Sequence, residues 1–132
     1  MRSRRGATLV EVMASIAIFS VALVSLLSVL VSNVKMAKQS DYAYIAYNLA
    51  KNHLETLRAM NFTDLSAAAE SATVLDDEGV PDPDGTFTRS TTVTTPYNAD
   101  AKLAKVTVSV LYTINGTDSA DPMKMSTVIY NG

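Results

Sequence analysis

Glu11 is the residue whose position points most directly to chemistry, because it is a carboxylate at the start of a long apolar stretch. The next 23 residues, Val12 to Val34, carry no charge. A carboxylate in a membrane costs about 2–3 kcal/mol even on lenient insertion scales, so it either snorkels to the surface or has a functional partner. The chemistry expected of Glu11 is therefore ion pairing with a cation in surroundings that penalise an unpaired charge.

Two other places in the sequence hold residues capable of chemistry. His53, the single histidine, falls between Leu49 and Leu57 on an apolar helix face, and no cysteine is present. Catalysis and metal binding need several groups in mutual geometry, so His53 is interpreted as a packing residue with one hydrogen bond. No enzyme activity and no cofactor are expected.

The second place is residues 76–85, an acidic stretch with two prolines and two glycines that predicts a surface loop. Asp82 and Asp84 are its weak candidates for a metal site. The stretch around them lacks the further Asp or Asn and the closing Glu of a calcium-binding EF-hand loop. An acidic surface loop without a metal is therefore the preferred interpretation.

The element that must position Glu11 is a long helix. At about 1.5 Å per residue, the uncharged stretch spans about 34 Å, enough for a bilayer core. A secretory signal peptide would have a shorter apolar core followed by a small-residue cleavage site. Arg2, Arg4 and Arg5 precede the stretch, and this charge bias predicts a cytoplasmic N terminus with the C-terminal part outside. An uncleaved single-pass anchor remains an alternative.

Residues 41–60 continue the helix with an amphipathic pattern. One broad face collects the apolar side chains: Tyr42, Ala43, Ile45, Ala46, Tyr47, Leu49, Ala50, Leu54, Leu57 and Met60. We therefore expect one helix from Ala7 to Met60, first in the membrane and then in water. The net charge is −2, and no basic cluster follows the N-terminal arginines, so no nucleic-acid partner is expected.

The run from Arg4 to Met13, RRGATLVEVM, resembles the processing motif of type IV prepilins and type II secretion pseudopilins, a class III prepilin leader. The resemblance implies cleavage between Gly6 and Ala7 by a prepilin peptidase, and N-methylation of Ala7. It also implies that Thr8, Leu9 and Glu11 serve subunit assembly, with Glu11 pairing to a neighbour's N-terminal amine. The implied partners are the peptidase, other pilin or pseudopilin subunits, the inner-membrane assembly platform and membrane lipid.

Two departures from the family pattern favour a minor subunit. The first mature residue is Ala7, where the family often has Phe. The stretch from Ser20 to Ser28 lacks the helix-breaking Gly and Pro that major pilins often carry. The resemblance therefore leans towards a minor type IV pilin, with a type II secretion or competence pseudopilin as the alternative.

The C-terminal half predicts a small α+β head. A short helix is expected over Leu65–Ser71, capped by Asp64, followed by strands Thr86–Thr95, Lys102–Ile114 and Met123–Tyr130. Three antiparallel strands with one apolar face would pack on the amphipathic helix. The predicted divisions are a leader at 1–6, a transmembrane half-helix at 7–34, an amphipathic half-helix at 35–61 and the head at 62–132.

Overall fold

The computed structural model describes residues 8–114 and 116–132. The predictions for the leader arginines, for cleavage at Gly6 and Ala7 and for the turn residue Asn115 lie outside them. Along the chain, helix α1 (Leu9–Ala59) is followed by a 3₁₀ helix (Phe62–Ala68). Five strands come next: β1 (Glu70–Leu75), β2 (Phe87–Thr94), β3 (Leu103–Ile114), β4 (Thr117–Asp118) and β5 (Met123–Tyr130). The fold is α+β, as predicted.

The chain divides into two compact units, residues 1–38 and residues 39–132. In the first, the described chain from Leu9 onward is helical, and α1 is long and apolar enough to cross a membrane by length and composition. Three of its serines bond back to the helix. The hydroxyls of Ser15, Ser20 and Ser25 donate to the carbonyl oxygens four residues earlier, over 2.7–2.9 Å. Their polarity is therefore satisfied without an outside partner.

In the second unit, an antiparallel sheet packs against residues 42–57 of α1. Strand β3 lies at its centre, with β2 on one side and β5 on the other, and β1 pairs with β2. The short strand β4 pairs with the end of β3. Because side chains alternate along a strand, the register places one continuous apolar face towards the helix.

The core forms between that sheet face and α1. Strand β3 alternates as predicted, with Ala104, Val106, Val108, Val110 and Tyr112 buried. From α1 the buried residues are Ala46, Leu49, Ala50, Leu54 and Leu57. The ring centroid of Tyr42 lies 5.8 Å from that of Phe87 and 6.1 Å from that of Tyr112. These three rings pack together beside the core.

The structure corrects three details of the predicted head and of the amphipathic half-helix. The sheet has five strands, where about three were expected. The turn after α1 is a 3₁₀ helix over Phe62–Ala68 with Asn61 as its N-cap, so the predicted Leu65–Ser71 helix starts late and its last residues belong to β1. Tyr47 and Met60, assigned to the apolar face of the helix, are 42% and 37% exposed, so they lie outside the buried core.

Candidate functional site

The start of α1 is organised by Thr8 and Glu11. The hydroxyl oxygen of Thr8 accepts a hydrogen bond from the backbone N–H of Glu11 over 3.3 Å, and its carbonyl accepts one from Val12 over 3.2 Å. Thr8 is thus the N-cap and Glu11 the third helical residue, the positions of a capping box. The sequence contains the signal for this cap, Thr-x-x-Glu before an apolar run, although the prepilin resemblance points only to an assembly role for Thr8 and Glu11.

Glu11 occupies an electrostatically favourable position within its own helix. It is the acidic residue of the first turn of α1, where the partial positive charge of the helix N terminus stabilises a carboxylate. Its side chain is exposed, and no Lys or Arg occurs in the sequence between Arg5 and Lys35. The geometry leaves the Glu11 carboxylate accessible to a partner.

The surface that continues from this site is apolar. All large apolar side chains from Leu9 to Val34 are exposed, by 45% for Val12 and up to 78% for Leu9. Exposed apolar patches of this extent indicate a membrane or a protein partner. Leu9, predicted to act in assembly beside Thr8 and Glu11, belongs to this surface.

Comparison with known proteins bears on this N-terminal region. The family model described as "Prokaryotic N-terminal methylation motif" matches residues 1–31. The match confirms the predicted prepilin-type leader and is consistent with a type IV pilin-like protein that is processed as a prepilin. It is a structural motif of pilins, not an enzyme family. No curated protein and no solved structure gives a significant match to the chain.

A polar cluster in the head joins His53 of α1 to Glu70 of β1 and Arg89 of β2. The guanidinium of Arg89 donates to both carboxylate oxygens of Glu70, over 3.0 and 3.2 Å. Burial and the nearby Arg89 lower the pKa of His53, and Glu70 partly opposes them. Within the described residues, Nε2 of His53 has no hydrogen-bond partner. The single hydrogen bond predicted for His53 is therefore not made through Nε2. This cluster contains no nucleophile–base pair.

The acidic loop uses its carboxylates in local turns. Oδ1 of Asp76 accepts hydrogen bonds from the backbone N–H groups of Glu78 and Val80, over 3.0 and 2.8 Å. Oδ1 of Asp82 accepts one from the N–H of Asp84 over 3.0 Å. Within residues 8–114 and 116–132, no group of three or more His, Cys, Asp or Glu side chains is placed to hold a metal ion. Asp82 and Asp84 therefore act as turn residues here.

Proposed function

We propose that this chain is a minor type IV pilin, a structural subunit cut between Gly6 and Ala7 by a prepilin peptidase. The observation that carries the proposal is the N-terminal methylation motif over residues 1–31, followed by an exposed apolar helix. After cleavage, Ala7 is the N-terminal residue and is N-methylated. The first apolar turns then carry one cationic amine and, four residues later, one carboxylate.

Assembly follows from pairing these two charges between subunits. Either charge alone is expensive to bury among apolar helices, whereas the Ala7 amine of one subunit and Glu11 of its neighbour offset each other. Identical subunits joined by such a head-to-tail contact form an open helical filament. Because the pair forms at one axial stagger only, Glu11 sets the register of the stack, with Thr8 and Leu9 beside it.

Before assembly, the subunit waits in the cytoplasmic membrane with its N terminus in the cytoplasm and its head outside. The N-terminal arginines favour this orientation. Lipid covers the exposed apolar side chains of residues 9–34 until neighbouring subunits replace it. The inner-membrane assembly platform then transfers the subunit into the filament.

A second candidate within the same class is a pseudopilin of a type II secretion or competence system. The unbroken course of α1 from Leu9 to Ala59 is compatible with this role as well as with a minor pilin. The sheared pilus fraction separates the two roles. A minor pilin is recovered with long filaments, whereas a pseudopilin stays with the envelope.

The decisive experiment is the mass of the N-terminal peptide of protein isolated from its native membrane and from sheared filaments. A peptide that begins at methylated Ala7 supports prepilin processing. A peptide that retains Met1 to Gly6 contradicts it and favours an uncleaved single-pass membrane-anchored binding protein. The same digest reveals which other pilins accompany the subunit.

A further inference from the structure

The two edges of the head sheet differ in how they are closed. The edge at β1 is covered by the chain itself, because the N–H of Asp82 donates to the carbonyl of Val74 over 3.1 Å and Leu75 bridges to Pro81. The register of β1 is also broken between Glu70 and Thr73, with Ala72 at a φ of 63°. A bulge and a covering loop are two ways in which proteins keep an edge from pairing further.

Among residues 8–114 and 116–132, no segment covers the edge at β5 and no bulge interrupts it. Its eight residues pair with β3 in unbroken register from Met123 to Tyr130. Within the described residues, β3 is its only strand partner. The strand contains no proline and a single charge, at Lys124. An uncovered edge of this length, regularity and composition is a template for another strand.

The register identifies which backbone groups are free. The N–H of Asn131 donates to the carbonyl of Lys102 over 2.8 Å. Hydrogen-bonded pairs alternate along an antiparallel ladder, so the odd-numbered residues of β5 bond to β3. The even-numbered residues direct their N–H and C=O groups away from the sheet. These free-edge residues are Lys124, Ser126, Val128 and Tyr130.

The side chains along this edge suit an apolar strand. Val128 and Tyr130 are 48% and 61% exposed, and they lie on the sheet face opposite the helix. On the helix side, Met125 and Ile129 are partly buried against the core. A strand added here, with apolar residues at alternate positions, would extend that inner face.

A second copy of this chain is a poor occupant. The β1 edge of another copy is closed, so a head-to-tail continuation of the sheet is blocked. Antiparallel pairing of two β5 strands requires a two-fold axis perpendicular to the sheet. That axis turns the packed helix of the second copy end for end. Subunits stacked head to tail in one filament are not related by such a two-fold axis.

We propose that the β5 edge binds an extended segment of a different protein by strand addition. This goes beyond the proposed function, because the contact needs neither cleavage after Gly6 nor the Glu11 pair. The segment contributes backbone hydrogen bonds to the four free-edge residues and apolar side chains beside Met125 and Ile129.

The test uses the full chain in its native membrane, in two differently tagged versions. The natural sequence has no cysteine, so Lys124→Cys supplies one thiol for a benzophenone photo-cross-linker. The expected adduct contains one tag and one foreign protein. Val128→Pro lowers its yield about tenfold, because proline removes a free-edge donor and obstructs an incoming strand. Val128→Thr, the matched control, retains the N–H, so its yield should stay well above that of the proline variant.

Folding and occupancy are checked on the same samples. Slow amide exchange at Met125, Thr127 and Ile129 in the proline variant shows that β5 still pairs with β3. The proposal is overturned by an adduct that carries both tags, by an adduct that survives Val128→Pro, or by the absence of any adduct. None of these results depends on the N-terminal peptide mass, so failure here is distinguishable from failure of the pilin assignment.

Discussion

Helix α1 contains two stretches, residues 9–34 and residues 42–57, that have the same secondary structure and opposite surroundings. From Leu9 to Val34 the large apolar side chains are all at least 45% exposed, whereas Leu49, Leu54 and Leu57 in the second stretch are at most 8% exposed. The first stretch is apolar on all sides, and the second alternates apolar and polar residues at the helical period. Both stretches are helical, so secondary structure does not distinguish them. They differ in the surroundings that their side chains require.

The difference shows where the stabilising partner of each stretch is found. The second stretch carries its partner in its own chain, since the inner face of β2, β3 and β5 covers it. The first has no such cover within the described residues. Its exposed apolar side chains are those that the proposed function assigns to lipid and to other subunits. Substitutions in the first stretch should therefore affect assembly, and those in the second should affect folding.

The largest effect is expected at Glu11. Both Glu11→Ala and Glu11→Gln should leave cleavage after Gly6 intact and abolish incorporation into filaments, because breaking a buried charge pair costs roughly 3–5 kcal/mol per site. The measurement is the fraction of processed subunit in sheared filaments. Gln retains the N3 position of the capping box, so it separates the charge from the cap.

The matched control for Glu11 is Glu55→Gln in the second stretch. Glu55 is exposed, and its substitution should change incorporation little. Wild-type incorporation of Glu11→Gln would contradict the charge-pair role and leave Glu11 as a capping residue.

A pair of leucine substitutions tests the comparison through folding. Leu57 is 1% exposed and Leu27 is 54% exposed. Leu57→Ala should lower the free energy of unfolding of the head by about 2–5 kcal/mol, because it leaves a cavity under the sheet. Leu27→Ala should change it by less than about 0.5 kcal/mol. Chemical denaturation in detergent micelles, followed by near-ultraviolet circular dichroism, measures both. If both substitutions changed the free energy of unfolding equally, the two stretches would have similar surroundings.

Strong periodicity made most of the head predictable from the sequence. The twelve residues of β3 alternate without interruption, and the predicted ends of β2, β3 and β5 agree with the structure within about one residue. Strand β1 was missed because Glu70–Leu75 has only two large apolar residues and contains the bulge at Ala72. The Glu70–Arg89 pair joins residues 19 positions apart, and no local pattern signals such a contact.

At the N-terminal site, the motif was predictable from the sequence, whereas the roles of its residues are not tested by the structure. Its motif is a local run of residues, and the match over residues 1–31 confirms it. The roles of Gly6, Ala7, Thr8, Leu9 and Glu11 remain predictions, since they depend on the peptidase and on neighbouring subunits. The Thr8 cap and the processing motif occupy the same residues, so one short run carries two signals.

A smaller effect is expected from the helix caps. Thr8→Val should destabilise the first turn of α1 by about 1 kcal/mol, because it removes the acceptor for the Glu11 N–H. The expected result is faster amide exchange at Glu11. Thr8→Ser restores the hydroxyl and should restore slow exchange.

Asn61 provides the corresponding control in the second unit. It is the N-cap of the 3₁₀ helix but makes no side-chain capping bond, so Asn61→Ala should leave exchange in that helix nearly unchanged. If amide exchange increased equally in α1 of Thr8→Val and in the 3₁₀ helix of Asn61→Ala, exchange would report general fraying and not the loss of a cap.

The smallest effect concerns the single histidine of the second stretch. The pKa of His53 is lowered from its usual value near 6.5 by burial and by Arg89. As pH falls through that value, the unfolded chain binds a proton that the folded head still excludes, so stability decreases with falling pH. The melting temperature should therefore fall between pH 7.5 and pH 5.5, and His53→Gln should flatten that fall. If both proteins show the same slope, His53 titrates as it does in the unfolded chain. A flatter slope in the variant would mean that packing against the sheet keeps the imidazole of His53 neutral in the folded head.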